Sequence, residues 1–204
     1  MIRLVSERAS MLSLGFILWL QPTLFMIHDF EEIIMSGPWS RKYRTEIDRA
    51  WPRHKPFGLG SIRHDAVPTL ATGVAIEFVF FTLICVVSAV LGWYSLWLAM
   101  FLGITLHFVL IHVPLCIRFG HYVPGVVTSV LLLVPSVWAI VTAVGLLHYG
   151  YLEIGWAVVA GIATVAVMLP LLHRAMAPIS ELIHGYAPVP QPGQSDTTAS
   201  AVPD

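Results

Sequence analysis

Charge is scarce in this sequence. Of its 204 residues, 11% are Asp, Glu, Lys or Arg, against about a quarter in ordinary soluble domains. A soluble fold of this length must cover its core with polar side chains, and too few are available. Cysteine is scarce as well. Cys85 and Cys116 form no CxxC pair and no disulfide framework. No dinucleotide fingerprint, P-loop or serine elbow occurs. A formal net charge of −1 gives no basis for a nucleic-acid partner.

What fills the chain instead is hydrocarbon. Hydrophobic residues make up 57%, and the mean hydropathy is +0.79. They fall in runs long enough to take lipid as solvent, since a spanning helix needs about 20 apolar residues. The expected fold class is all-α, a polytopic transmembrane bundle of about five spanning helices. Residues 1–184 form one domain, with a basic loop at 36–65. Residues 185–204 have little to bury and read as a disordered tail.

The expected spans are 11–35, 66–91, 93–113, 123–147 and 154–172. The first follows a short charged stretch, but no small-x-small cleavage site follows it, so it reads as a retained span and not a signal peptide. Residues 178–184 read as a short surface helix. The 36–65 loop carries seven Lys/Arg against three Asp/Glu. With Arg118 and Arg174 it sets the cytoplasmic side, giving N-outside, C-inside. The expected location is the cell inner (cytoplasmic) membrane, with membrane lipid as partner. Trp39 and Trp51 suit the interface.

Several ionisable residues stand where hydrocarbon should be. His28-Asp29-Phe30-Glu31-Glu32 ends the first apolar run. On a helix His28 and Glu32 share a face, Glu31 lies on its flank, and Asp29 points about 100° away. Adjacent carboxylates near lipid repel when both are charged, and a divalent cation removes that cost. A charged interfacial helix end is the plainer alternative. Glu77 lies within an apolar run, at a cost of roughly 2.5 kcal/mol or more on insertion scales. It belongs either at a site or, protonated, against a neighbouring helix. His107 is a ligand or a hydrogen-bonding core residue. His112 is about 140° around a straight helix from it, so sharing one ion requires distortion, and Pro114 follows. His121 comes after the turn.

Depth favours convergence. Glu77 is roughly 16 Å into its span and His107 about 9 Å from the end of its own, measured from one membrane face. The set His28, Glu31, Glu32, Glu77, His107, His112 and His121 offers nitrogen and oxygen without thiolate. It suits zinc first, with iron or manganese as alternatives. Three or four ligands make one open site, and bridging carboxylates support two ions about 3.5–4 Å apart.

The pentad, its helical context and the later stretch Tyr122-Val123-Pro124-Gly125-Val126-Val127-Thr128 together resemble the HXXEE-motif family of small prokaryotic integral membrane proteins, over roughly residues 12–172. That resemblance implies a motif and no particular reaction. The pentad is also similar in spacing to the inverted zinc motif HxxEH, with Glu32 in place of the second histidine. That likeness implies His28 and Glu32 as ligands and Glu31 as base.

The expected function is a metal-dependent membrane enzyme, a hydrolase acting on a lipid-like or amphiphilic substrate at the cytoplasmic side. Glu31 and Glu77 are the expected catalytic residues. The alternatives are a diiron or dimanganese oxidoreductase, an ion or small-molecule transporter, and a non-catalytic membrane protein.

Overall fold

The computed structural model describes residues 2–53, 55–58 and 66–186. No strand occurs among them. The helices are α1 (Ile2–Lys42), α2 (Arg44–Ala50), α3 (Ala66–Leu91), α4 (Tyr94–His107), α5 (Val113–Phe119), α6 (Val126–Leu147) and α7 (Tyr151–Tyr186). A π turn at Phe108–His112 joins α4 to α5 without a break, and a short 3-10 turn occupies Pro56–Gly58.

Among the described residues, four helical stretches are long and apolar enough to cross a membrane: Ala66–Leu91, Tyr94–Phe119, Val126–Leu147 and Tyr151–Tyr186. Their outward faces are hydrocarbon. Val130, Leu131, Val134, Trp138 and Val141 of α6 are exposed, as are Leu152, Trp156, Val159, Val167 and Leu171 of α7. In water such faces would drive association, and lipid is the solvent that fits them. The chain is a helical membrane protein. The expected first span lies within α1, a single helix of 41 residues.

α4 is the centre of the bundle. Trp97, Leu98, Phe101 and the adjoining Phe108 are fully buried, packed among α1, α3, α6 and α7. Its contact with α7 is close because Gly103 faces Gly161. A Cβ on Gly103 would lie 2.7 Å from the Gly161 carbonyl oxygen. Small residues let membrane helices approach in this way.

Pro22 explains another contact. Proline lacks the N–H that would bond the carbonyl four residues earlier, which frees the Leu18 carbonyl inside α1. The Trp97 indole N–H donates to that oxygen at 3.1 Å, and the Cys85 thiol at 3.3 Å. A buried carbonyl thus ties α1 to α3 and α4.

Three expectations change. Trp39 and Trp51 are buried, at 2% and 8% exposure. They pack with Ile47, Phe57 and Val123 in a second core beneath the basic loop, because that loop folds back over the bundle. α7 runs unbroken through Pro170 and Pro178 to Tyr186, so 178–184 is its last part and not a separate surface helix. Buried Met176 and Ser180 hold this end of α7 against its neighbours. Gly185 and Tyr186 are therefore helical, and the rest of the expected tail lies outside the described residues.

Replacing Trp97 with Phe keeps the ring and removes the indole donor. Leaving a buried acceptor short costs about 1–3 kcal/mol. Because the Cys85 thiol still reaches Leu18, Trp97→Phe is expected at the low end and Trp97→Phe with Cys85→Ala at the high end. Thermal unfolding in detergent measures both. Equal stability of the double variant and the parent would show that the carbonyl does not need these donors.

Candidate metal centre

The HDFEE stretch of α1 lies against the end of α4 and the start of α6. One turn of helix puts His28 and Glu32 on the same face, and the two are bridged: His28 Nε2 lies 3.4 Å from Glu32 Oε1. His112 Nε2 completes a triangle, 3.1 Å from Glu32 Oε1 and 3.2 Å from His28 Nε2. His107 Nε2 is 3.1 Å from His112 Nε2.

His107 and His112 meet because of the π turn between them. In a π turn the backbone repeats at five residues and not four. Two side chains that an α-helix would separate by about 140° are brought to one face. The distortion that the sequence required is present, immediately before Pro114.

Among the described residues, His28, Glu32, His107 and His112 form a group whose ligand atoms all lie within 4.8 Å of one another. Atoms arranged tetrahedrally around an ion at roughly 2.0–2.1 Å are separated by about 3.3 Å. The four short contacts, 3.1 to 3.4 Å, match that spacing.

The hydrogen bonds behind the rings bear on whether the group could hold a cation. His112 Nδ1 is 3.1 Å from the Pro124 carbonyl. A carbonyl only accepts, so Nδ1 carries the hydrogen. His28 Nδ1 lies 3.0 Å from the Thr128 hydroxyl. That hydroxyl donates its own hydrogen to Glu31 Oε2 at 2.6 Å, so it accepts from His28. When both rings are neutral, Nε2 is then the bare nitrogen. Two lone pairs and a carboxylate oxygen then face each other in a buried space, with a third imidazole beside them. The four side chains can hold a metal ion, and their chemistry fits one.

Glu31 stands outside this group. Its carboxylate accepts from Tyr122 Oη at 2.7 Å, from the Thr128 N–H at 2.7 Å and from the Thr128 hydroxyl, with the Val127 N–H at 3.4 Å. It caps the start of α6, where free N–H groups and the helix dipole favour an anion. The donors of α6 turn it away from the ring nitrogens that the HxxEH spacing would have it serve. It reaches His28 only through Thr128. His121 also lies outside, exposed and stacked on Tyr43 at 5.0 Å, because the chain turns away at Gly120. Glu77 is buried and lines the same cavity as the four residues, but does not join their group.

That cavity has a volume of about 320 Å³. Its lining carries His28, Glu32, His107 and His112, joined by Asp29, Glu77 and His173, and interleaves them with apolar residues such as Leu70, Val74, Phe81, Ile104 and Met168. Trp51, Lys55 and Phe57 of the basic loop roof it, with Phe57 6.2 Å from His112, ring to ring. Asp29 is buried, with Oδ2 unpartnered among the described residues.

The sequence reading left Gly125, Pro124 and Thr128 without a role. Gly125 has a φ of +85°, and a Cβ there would lie 2.7 Å from His112 Cε1 and 3.0 Å from Glu32 Oε1. Glycine is required both for the backbone and for the closeness of the two ligands. The PGVVT stretch thus supports the histidines from behind.

A protein family described as "Protein of unknown function with HXXEE motif" matches residues 19–140. The chain belongs to this family. In this HXXEE protein the matched region holds the whole four-residue group and the Glu31–Thr128 contact, while α7 lies beyond it. No curated protein and no solved structure matches the chain.

Gly125→Ala is expected to push His112 out of the group. Thr128→Val removes the acceptor that orients His28. Loss of such an orienting partner weakens metal affinity about 10–100-fold. Competition of each purified variant against a chelating dye measures this, and unchanged affinity in both variants would contradict the orientation argument.

Proposed function

We propose that this chain is a metal-dependent membrane hydrolase acting on a lipid-like substrate at the cytoplasmic face. The observation that carries the reading is the convergence of three imidazole nitrogens and one carboxylate oxygen on the wall of a half-apolar cavity. His28, Glu32, His107 and His112 hold the ion. Zinc suits a donor set of three nitrogens and one oxygen, with iron and manganese as alternatives.

When bound, such an ion would polarise a carbonyl or phosphoryl oxygen and make water more acidic, which requires either a fifth position or release of one of the four side chains. The chain supplies the rest. Glu31 orients His28 through Thr128, a role other than the base that the HxxEH spacing implies. Proton transfer falls to the carboxylates that face the cavity, Glu77 and Asp29. One takes a proton from the attacking water and returns it to the leaving group. Leu70, Val74 and Phe81 exclude bulk water, while the loop at Trp51–Phe57 covers the polar end.

Topology fits this reading. The basic loop roofs the cavity, and positively charged loops remain in the cytoplasm. With α1 counted as a span, five helices cross the cell inner membrane, N-outside and C-inside.

Purified protein is expected to carry about one divalent ion per chain, lost in His107→Ala. Glu77→Gln is expected to retain the ion while slowing hydrolysis of acyl ester, acyl amide or phosphoester amphiphiles by about 10²–10⁴. Metal analysis and turnover on such a panel test both. A folded, metal-free and fully active protein refutes the proposal. Bound iron with oxygen consumption would favour the oxidoreductase, and uptake into liposomes without hydrolysis would favour the transporter.

A further inference from the structure

Beyond the candidate centre the molecule has a second concave feature. A groove of about 700 Å³ runs between α3 and α7. Ile76 and Phe80 form its α3 wall, and Ala163, Val167, Leu171 and Ala175 lie on the α7 wall. Glu77, Met168 and Leu172 line both the groove and the cavity of the metal centre. The two spaces therefore adjoin at Glu77.

We infer that the α3–α7 groove is a binding site for one hydrocarbon chain, through which an amphiphile enters from the bilayer with its polar end towards Glu77. The inference rests on the amphiphilic substrate proposed above and specifies where that substrate's tail lies.

Three observations support a hydrocarbon occupant. First, the lining is apolar apart from Glu77 and Thr164. The Thr164 hydroxyl donates to the Ala160 carbonyl of its own helix at 2.9 Å, so it seeks no external partner. A peptide or sugar would leave its polar groups unpaired there, at a cost of a few kcal/mol each.

Second, the groove opens on two helices apolar enough to span a membrane, where the surrounding medium is acyl chain. From Ala163 to Leu172, where Gly73 closes the groove, the α7 wall rises roughly 14 Å. That is about half the ~30 Å hydrocarbon core, and it suits an acyl chain lying along the helix.

Third, the helices close above the groove. Gly73 packs against Met176 and Leu172, so α3 and α7 meet at the end nearest the basic loop. Small side chains, Ala163 and Ala175, leave room on α7. A chain in the groove therefore has its end at Glu77, beside the ionisable residues of the cavity, and is not free to slide past it.

The test uses the full-length protein in lipid nanodiscs with a palmitic acid bearing a photoactivatable diazirine near its methyl end. After irradiation, mass spectrometry maps the adducts. They are expected to concentrate on Phe80 and Val167, away from Glu77, and to fall about tenfold with excess unlabelled palmitate or in the groove-filling variants Ala163→Phe and Ala175→Phe, a change of about 1.4 kcal/mol in binding. Adducts equally abundant on Val134 and Val141 of α6, and indifferent to competitor, would mean bulk lipid contact only and overturn the inference. So would intermolecular crosslinks between α3 and α7 formed by a bifunctional reagent added to parallel samples, which would mean that a second copy covers the face. Metal content measured on the same samples separates the two proposals. Competed groove labelling in a metal-free protein upholds the groove and refutes the metal centre. A stoichiometric ion with unfocused labelling does the reverse.

Discussion

Three imidazoles and a carboxylate held in contact inside a membrane protein are costly unless something positive lies among them. Backbone and hydroxyl partners fix a hydrogen of His28 and of His112 on Nδ1, so when the rings are neutral their bare nitrogens face each other across 3.2 Å. In water such a repulsion would be weak. In a low-dielectric interior it is strong, since charges and dipoles are poorly screened there. The surrounding structure acts against relaxation. Gly125 lets the PGVVT backbone press on His112, the start of α6 holds Glu31, and Phe108 packs on His28 with ring centroids 4.5 Å apart. These supports hold the four ligand atoms close enough to accept a cation among them.

The remaining features can be placed in relation to this constraint. α4 is the most buried helix because it must carry His107 to the centre while packing on every other spanning helix. α1 supplies two members of the group and is anchored by its free Leu18 carbonyl ten residues before His28. The aromatic cluster of Trp39, Trp51, Phe57 and Phe119 fastens the basic loop over the polar end, and the Trp39 indole donates to the Tyr122 carbonyl at 2.7 Å. The groove between α3 and α7 leaves the opposite, apolar end open to lipid.

Much of this was legible in the sequence, for definite reasons. Long apolar runs report a membrane bundle because hydrocarbon tolerates little else. His28, Glu32, His107 and His112 were identifiable because an ionisable group in such a run needs a partner. The sequence also required a distortion near Pro114 for the two later histidines to meet, and the π turn supplies it. The role of Glu31 was not legible. Spacing along α1 alone cannot reveal that the start of another helix, almost a hundred residues on, offers it better donors. The same limit hid Gly125 and Thr128, whose importance lies in what they touch across the bundle. The burial of Trp39 and Trp51 was missed because composition does not distinguish an interfacial tryptophan from one covered by a folded-back loop.

The π turn has one further consequence. It places one residue more between His107 and His112 than an α-helical turn holds, and that surplus also rotates everything downstream by about a quarter of a revolution. α5 inherits this rotation, so the direction in which Phe119 meets Trp39 and Trp51 is phased by the same residue that aligns the two histidines. Chain length between the histidines is therefore shared by the buried centre and its aromatic roof, and neither can drift in register without the other.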